Sequence, residues 1–566
     1  MKGTIMKNTM KKVIAMLIAS LMLFGALASC SGEGNGISTT EPNKPPVTTD
    51  PAVQTQEEKT GVYTWVSSAY VKNQNGVDIP RNRSTEGIVS MAKNETEGIQ
   101  VSFYSADRLN GASFEIKGEH EGITVELFRE YVIEANKKEY PDPIAPSDGT
   151  VRLSKNETRT MLVNFTTSAE TKAGTYEYTA ELKNNKKEVL HTYTFTVVVY
   201  DITYPEAPTL DTAVGLSLRA IAYQNGLTND PTYDVPEDKL EEARELLILY
   251  YEYMLEHKAT PIELPYDILD PRADKYMSDP RVTGFCVPSG VDDETLAAIY
   301  AKLKTNPEWL AKAYIYPVDE PTNSAHIDQM IAQAERFSRI CPDIRNATSF
   351  FVNVNYNSEK DQLQVMGEFL DIFCCKPSNW DRNKLGWGFG IADHPTLGSF
   401  AERMYGYQAQ GKELWSYVCW EPRDPYCNLL LNERGLNHRV LFWQQYALGT
   451  TGFLYWSANW WDYVRDPWLT TKFWLDASVH GDGILLYPGN KVGLEGPAGS
   501  LRFEALRDGV EDYELLHMAG ELLGNDWVQN HIKKVSTGIT TYTTSEEVFE
   551  AARVELLKAI QTELQK

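Results

Sequence analysis

The stretch AYIYPVDEPTN, residues 313–323, decides how the rest of the chain is read. An apolar, aromatic run ends in two adjacent carboxylates, Asp319 and Glu320. A proline follows, and then a helical pattern, SAHIDQMIAQAERFSRI. The order is strand, short loop, helix, and the same rhythm recurs on both sides. TAVGLSL, TPIELPYD, RVTGFCVPS, AYIYPVDE, ATSFFVNVN, DIFCCKPSNW, ELWSYVCWEP and TGFLYWSANWW read as strands. Helical patterns such as EDKLEEARELLILYYEYMLEH and ERGLNHRVLFWQQYAL lie between most of them. Eight strands, each followed by a helix, predict a (β/α)8 TIM-type barrel over residues 206–525. No glycine-rich phosphate loop follows the first strand, which argues against a doubly wound nucleotide-binding sheet. Its last helix is SLRFEALRDGVEDYELLHMAGELL, with Phe503, Leu506, Val510, Tyr513 and Leu516 on one face.

Upstream, residues 61–205 alternate apolar and polar positions between frequent turn signals, as in GIQVSFYSA and HTYTFTVVVYDI. That pattern predicts an antiparallel β-sandwich. Residues 526–566 read as a helical segment packed on the barrel. At the other end, MKGTIMKNTMKK is basic and VIAMLIASLMLFGALAS is apolar, a secretory leader over residues 1–29. Leu27-Ala28-Ser29-Cys30 resembles a lipoprotein processing site, which implies a lipid on Cys30 and an anchored position in a bacterial cell envelope. Residues 30–60, rich in Gly, Pro and Thr, read as a flexible tether.

The formal net charge is −24. The leader carries Lys2, Lys7, Lys11 and Lys12 and no acid, so −24 less four lysines leaves −28. Such a surface repels polyanions and excludes nucleic acid as a partner class. The nine histidines show no ligand spacing, so neither a metal nor a cofactor is expected.

Barrel active sites form at the C-terminal ends of the strands. That rule selects Asp319 and Glu320 as catalytic candidates. Tyr266, Asn353, Trp380, Trp420, Glu421, Tyr455, Trp456, Asn459 and Trp460, at the other strand tips, become candidate substrate-binding groups. Ten of the thirteen tryptophans lie between residues 380 and 474. Such rings stack on the apolar face of a sugar, whereas Trp415, Trp443 and Trp474 read as core residues. Adjacent acids also occur in solvated helices, and Asp319-Glu320 could simply favour the start of the following helix. Their place at the tip of an apolar strand points instead to a carboxyl tuned for acid catalysis.

Two neighbouring acids cannot easily flank a glycosidic bond from opposite faces, as the two-carboxylate scheme requires. They can address neighbouring atoms of one amino sugar. Glu320 protonates the glycosidic oxygen, and Asp319 holds the N–H of a 2-acetamido group whose carbonyl oxygen attacks C1. YPVDEP, the block from ELWSYVCWEP to SANWW, GDGILLYPG and SLRFEALRDGVEDYELL resemble the catalytic domain of glycoside hydrolase family 123. The resemblance implies an exo-acting, retaining β-N-acetylgalactosaminidase, with Asp319 polarising the acetamido group and Glu320 as general acid/base. Its substrate would be a glycan ending in an amino sugar. Two alternatives stay open. One is a retaining β-glycosidase with Glu320 as acid/base and Glu421 as nucleophile; the other is a glycan-binding lipoprotein without catalysis.

Overall fold

The computed structural model describes residues 51–73 and 79–566. The expected leader, the expected lipid attachment at Cys30 and the expected tether up to residue 50 lie outside these residues. The tether reading does not hold for 51–60. Pro51–Thr60 is a helix, held by a buried ion pair between its Glu57 and Arg83 at 2.8 Å.

Two sheets form the sandwich. One runs Val62–Ser68, Thr96–Ser105, Glu157–Thr167, Ile123–Ala135, Lys138–Pro146. The other runs Glu86–Lys93, Val189–Thr203, Gly174–Lys183, Leu109–Lys117, Thr150–Leu153. Alternate residues such as Ile99, Val101 and Phe103 meet Phe195, Val197 and Val199 in a buried core between the sheets, as period-2 patterning requires. Two expectations need correction. Glu86–Lys93 pairs in parallel with Val189–Thr203, so the sandwich is not wholly antiparallel. Nor is it complete by residue 205. Tyr487–Pro488 and Pro497–Ser500, from far downstream, extend the first sheet through Gly499↔Ile144 and Ser500↔Pro143.

The second half is a nearly closed parallel sheet. Its strands are β1 (Asp211–Val214), β2 (Phe285–Val287), β3 (Ala313–Ile315), β4 (Arg345–Phe350), β5 (Ile372–Cys375), β6 (Glu413–Val418) and β7 (Gly452–Tyr455). They lie in the order β1-β7-β6-β5-β4-β3-β2. The predicted eight-stranded count is therefore one too high. TPIELPYD, expected as the second strand, is reduced to a single bridge between Val214 and Pro261. Pro261 and Pro265 have no N–H to give a ladder. The segment still spans the gap. Val214 N donates to Thr260 O (2.9 Å), Ile262 N to Val214 O (3.0 Å) and Cys286 N to Ile262 O (2.8 Å), which links the two edge strands.

Helices pack outside this sheet because each carries one apolar stripe. In Ser324–Ile340, Ile327, Met330, Ala334 and Phe337 are buried at helical spacing. Gly435–Ala447 and Leu501–Leu523 are instead buried on nearly all sides. The sandwich and the terminal helices Asn525–Ile532 and Glu546–Leu564 cover their outer faces. The C-terminal segment therefore contacts the sandwich strands 86–93 and 189–203 as well as a barrel helix.

Candidate active site

The barrel interior is a stack of side chains from alternate strand positions. Ala213, Tyr314, Ala347, Cys374, Trp415, Tyr417 and Leu454 form one cluster, with Tyr316 and Cys419 against it. Trp415 fills the middle, edge-on to Tyr314 with centroids 5.4 Å apart. Gly452 opposite has to be glycine, since a Cβ there would lie 2.4 Å from the Trp415 ring. Two residues further along each strand, Tyr316 and Tyr417 carry their phenols to the C-terminal rim. Those two hydroxyls hold the two carboxylates.

Tyr316 OH donates to Asp319 Oδ1 at 2.8 Å, and Ser349 Oγ on β4 donates to the same oxygen at 2.8 Å. Ser349 N donates to Tyr316 OH, and Glu320 N donates to Ser349 Oγ. Tyr417 OH on β6 donates to Glu320 Oε1. Consecutive side chains of an extended strand point to opposite faces, so two adjacent acids would normally diverge. Glu320 breaks the alternation with a φ of 42°. A left-handed non-glycine residue costs of order 1–3 kcal/mol and persists where its surroundings fix it. Here the turn lets Asp319 anchor on β4 while Glu320 reaches β6. Among the described residues, no protein group hydrogen-bonds Asp319 Oδ2 or Glu320 Oε2, so each acid has one tethered and one free oxygen. The helix that follows does not use them. Its N-cap is Asn323, whose side chain accepts from His326 N at 3.0 Å, so neither acid caps it.

The electrostatics separate the two acids' surroundings. Asp319 is exposed and Glu320 half-buried. Burial raises the Glu320 carboxyl above its usual range, and the Asp319 charge adds to this, while the Lys376 ammonium and the Tyr417 hydrogen bond oppose it. Lys376 is buried at the end of β5, its Nζ 4.7 Å from the Phe351 ring centroid and 5.4 Å from that of Tyr417. Its charge also reaches Asp482, whose carboxyl burial pushes up to about 6. Asp482 Oδ1 accepts from Trp456 Nε1 at 3.0 Å and from Tyr455 OH at 3.4 Å. Gly483 beside it has a φ of 69°, and a Cβ there would sit 2.4 Å from the Trp456 ring. If Glu320 must be protonated in the free enzyme, the basic limb of the kcat/KM profile reports its pKa. Lys376→Met removes the opposing cation, so that limb should move to higher pH. A pH–rate profile checks this, and a limb moving to lower pH would refute the assignment.

The other predicted residues divide. Trp420, Tyr455, Trp456 and Trp460 gather at the ends of β6 and β7, with Trp456 and Trp460 in ring contact at 5.1 Å. Glu421 lies beside them, but Arg423 Nε pairs with its Oε1 at 3.0 Å. Asn353 is consumed structurally. It donates to Asp361 Oδ2 and accepts from Leu363 N at the start of helix Gln362–Phe369. Asn459 is buried and brackets Ser217 through both its amide atoms. Tyr266 lies under the guanidinium groups of Arg272 and Arg244, 4.2 and 5.3 Å from its ring centroid. Trp380 packs on Phe400 and Tyr405. Sequence reading missed Tyr316, Ser349, Lys376, Tyr417 and Asp482. Of these, only Tyr316 and Tyr417 carried a signal, as period-2 partners of Tyr314 and Trp415.

Residues 384–519 match the family model "Glycoside hydrolase 123, catalytic domain". This segment is therefore similar to a family 123 catalytic domain. The matched segment includes Tyr417, Glu421 and the Tyr455–Asp482 region, while Asp319 and Glu320 lie upstream of it. A search of curated proteins returns no match. Among solved structures, the family 123 glycoside hydrolase from Clostridium perfringens, described in terms of glycolipid glycan hydrolysis, superposes with a TM-score of 0.63 at 12% identity. That match covers 89% of this chain and 98% of the other, and shows a shared fold. An FMN-binding β-glucuronidase from Facaelibacterium prausnitzii gives a TM-score of 0.27 at 9% identity, over 81% of this chain and 61% of the other. The family 123 match supports the glycoside hydrolase class.

Proposed function

We propose that this protein is an exo-acting, retaining glycoside hydrolase of family 123 that releases terminal β-linked N-acetylhexosamine, N-acetylgalactosamine foremost, by substrate-assisted catalysis. The observation that carries the reading is the left-handed turn at Glu320. It places two neighbouring carboxylates on one rim, each held on one oxygen and free on the other. In this reading the protonated Glu320 donates to the glycosidic oxygen as the bond to C1 breaks. Asp319 accepts the hydrogen bond of the 2-acetamido N–H, so that the amide oxygen closes on C1 and positive charge grows beside a carboxylate. Glu320, now ionised, takes a proton from water that attacks C1 as the bond from C1 to the amide oxygen breaks, which regenerates the acetamide and restores the β configuration. Buried Lys376 steadies the ionised form, and Tyr417 holds the carboxyl in place. The pairing of Glu421 with Arg423 leaves that residue poorly suited as a nucleophile.

The natural substrate in this proposal is a glycan with a terminal amino sugar, of the glycolipid class named for the Clostridium perfringens enzyme. The protein would meet it outside the cytoplasm, anchored through a lipid on Cys30. The test is a panel of nitrophenyl β-glycosides in matched 2-acetamido and 2-hydroxy pairs of both galacto and gluco epimers. Cleavage confined to the 2-acetamido members, with the β-anomer as first product by NMR, is the expected result. Efficient turnover of a 2-hydroxy member would remove the substrate's own amide from the mechanism.

A further inference from the structure

Beyond the carboxylates, the rings form a continuous path. Trp456 meets Trp460 at 5.1 Å, Trp460 meets Tyr463 at 5.9 Å, and Tyr463 stacks on Trp474 at 5.2 Å with their planes 20° apart. Trp474 then meets Phe473 at 5.9 Å, and Phe473 stacks on Trp420 at 5.9 Å. The path thus leaves the barrel rim at the tip of β7 and returns at the tip of β6. Its ends are part-buried, and its middle is open to solvent: Tyr463 is 47% and Trp474 42% exposed. Trp474, which the sequence suggested as a core residue, is therefore a surface ring. Two large aromatics exposed side by side form an unusual surface for a solvated chain. Trp460 Nε1, at the inner end of the path, is buried and finds no acceptor among the described residues.

We infer that Tyr463 and Trp474 form a binding site for the aglycone sugars of an oligosaccharide, on the leaving-group side of the scissile bond. The inference rests on the glycosidase reading above and extends it to the part of the substrate that is not released. Three features favour a sugar chain. The strip is continuous with Trp456, which is tied to Asp482 at the site. Ring faces match the apolar faces of pyranoses. The acidic surface disfavours an anionic occupant.

The experiment compares a trisaccharide bearing a terminal β-linked N-acetylhexosamine with the methyl glycoside of the same sugar. Wild type and the variants Trp474→Ala, Tyr463→Ala and Trp474→Phe are assayed for released sugar, with melting temperatures as a folding control. The ratio of kcat/KM for trisaccharide over methyl glycoside should fall about five- to tenfold in each alanine variant, as expected for one lost stacking contact. Trp474→Phe should recover part of that loss. An unchanged ratio in both alanine variants overturns the inference. So does a preference confined to long-alkyl glycosides, which would assign the strip to an acyl chain. Should wild type cleave neither substrate, the catalytic reading fails, and calorimetric titration with the trisaccharide decides the binding site independently. Weaker binding by Trp474→Ala then supports it, and equal binding refutes it.

Discussion

Glu320→Gln is expected to lower kcat/KM on β-N-acetylhexosaminides with sugar or alkyl leaving groups by roughly 10²–10⁴-fold, the usual worth of a positioned general acid. The loss should shrink on nitrophenyl substrates, whose leaving group departs without protonation. Glutamine keeps an oxygen for the Tyr417 hydroxyl, so the local fold has no reason to change. Asp319→Asn should behave differently and lose activity on both kinds of substrate. Its carboxylate assists the acetamide oxygen's attack on C1, the displacement that expels either kind of leaving group. Asp319 is exposed, and among the described residues its hydrogen-bond partners are Tyr316 and Ser349. An amide oxygen can accept both bonds, so the melting temperature should hardly move. Steady-state kinetics on paired substrates separate the two roles. If Asp319→Asn retained wild-type rates on nitrophenyl substrates, the acetamide mechanism would fail.

The second large effect concerns stability. Arg502→Ala is expected to destabilise the fold by about 3–5 kcal/mol, the usual cost of breaking a buried ion pair by removing one partner. Arg502 is fully buried at the start of helix Leu501–Leu523. Its Nε and Nη2 pair with Asp142 of the sandwich at 2.9 and 2.8 Å. Its Nη1 donates to the carbonyls of Leu429 and Gly481, each at 2.8 Å, and Nη2 also reaches Ile484 O. The alanine variant leaves Asp142 buried with, among the described residues, only the Tyr487 hydroxyl as donor, at 2.6 Å, and removes a donor from each of three carbonyls. Arg423→Ala is the matched control. Its contacts with Glu421 and Asp476 are part-exposed, and such pairs contribute about 0–1 kcal/mol. Urea unfolding of both variants should give midpoints that differ widely; equal shifts would show that burial of the Arg502 pair carries no special weight.

Much of this architecture could be read from residue patterns, and the exceptions have physical causes. The barrel strands announced themselves as short apolar runs ending in polar tips, and the sandwich as alternation. The bridge at Pro261 looked like a strand because its apolar residues alternate properly, while its two prolines weaken the ladder. The late arrival of Tyr487–Pro488 and Pro497–Ser500 in the sandwich had no local signature, since a sheet edge is chosen by tertiary contact. At the site, Asp319 and Glu320 stood out because acids at the end of an apolar strand are expensive to bury. Asn353 and Asn459 were plausible sugar ligands by type and position. In the structure Asn353 bonds the Asp361 carboxylate and the Leu363 N–H, and Asn459 bonds the Ser217 backbone, contacts that depend on loops whose paths the sequence does not specify. Lys376, just past a strand end, and Asp482, in a turn, were silent because a single charged residue looks the same in sequence whether it faces solvent or a buried site.

The downstream hairpin that completes the upstream sheet has a consequence for ancestry. A recombination event near residue 205 would hand one descendant an unfinished sheet edge and the other an orphaned ribbon, Tyr487–Pro488 with Pro497–Ser500, with nothing to pair against. The two halves therefore have to be inherited, and diverge, as a single block. Exchange of the front half for an unrelated module would be selected against at the level of folding before any catalytic difference was felt.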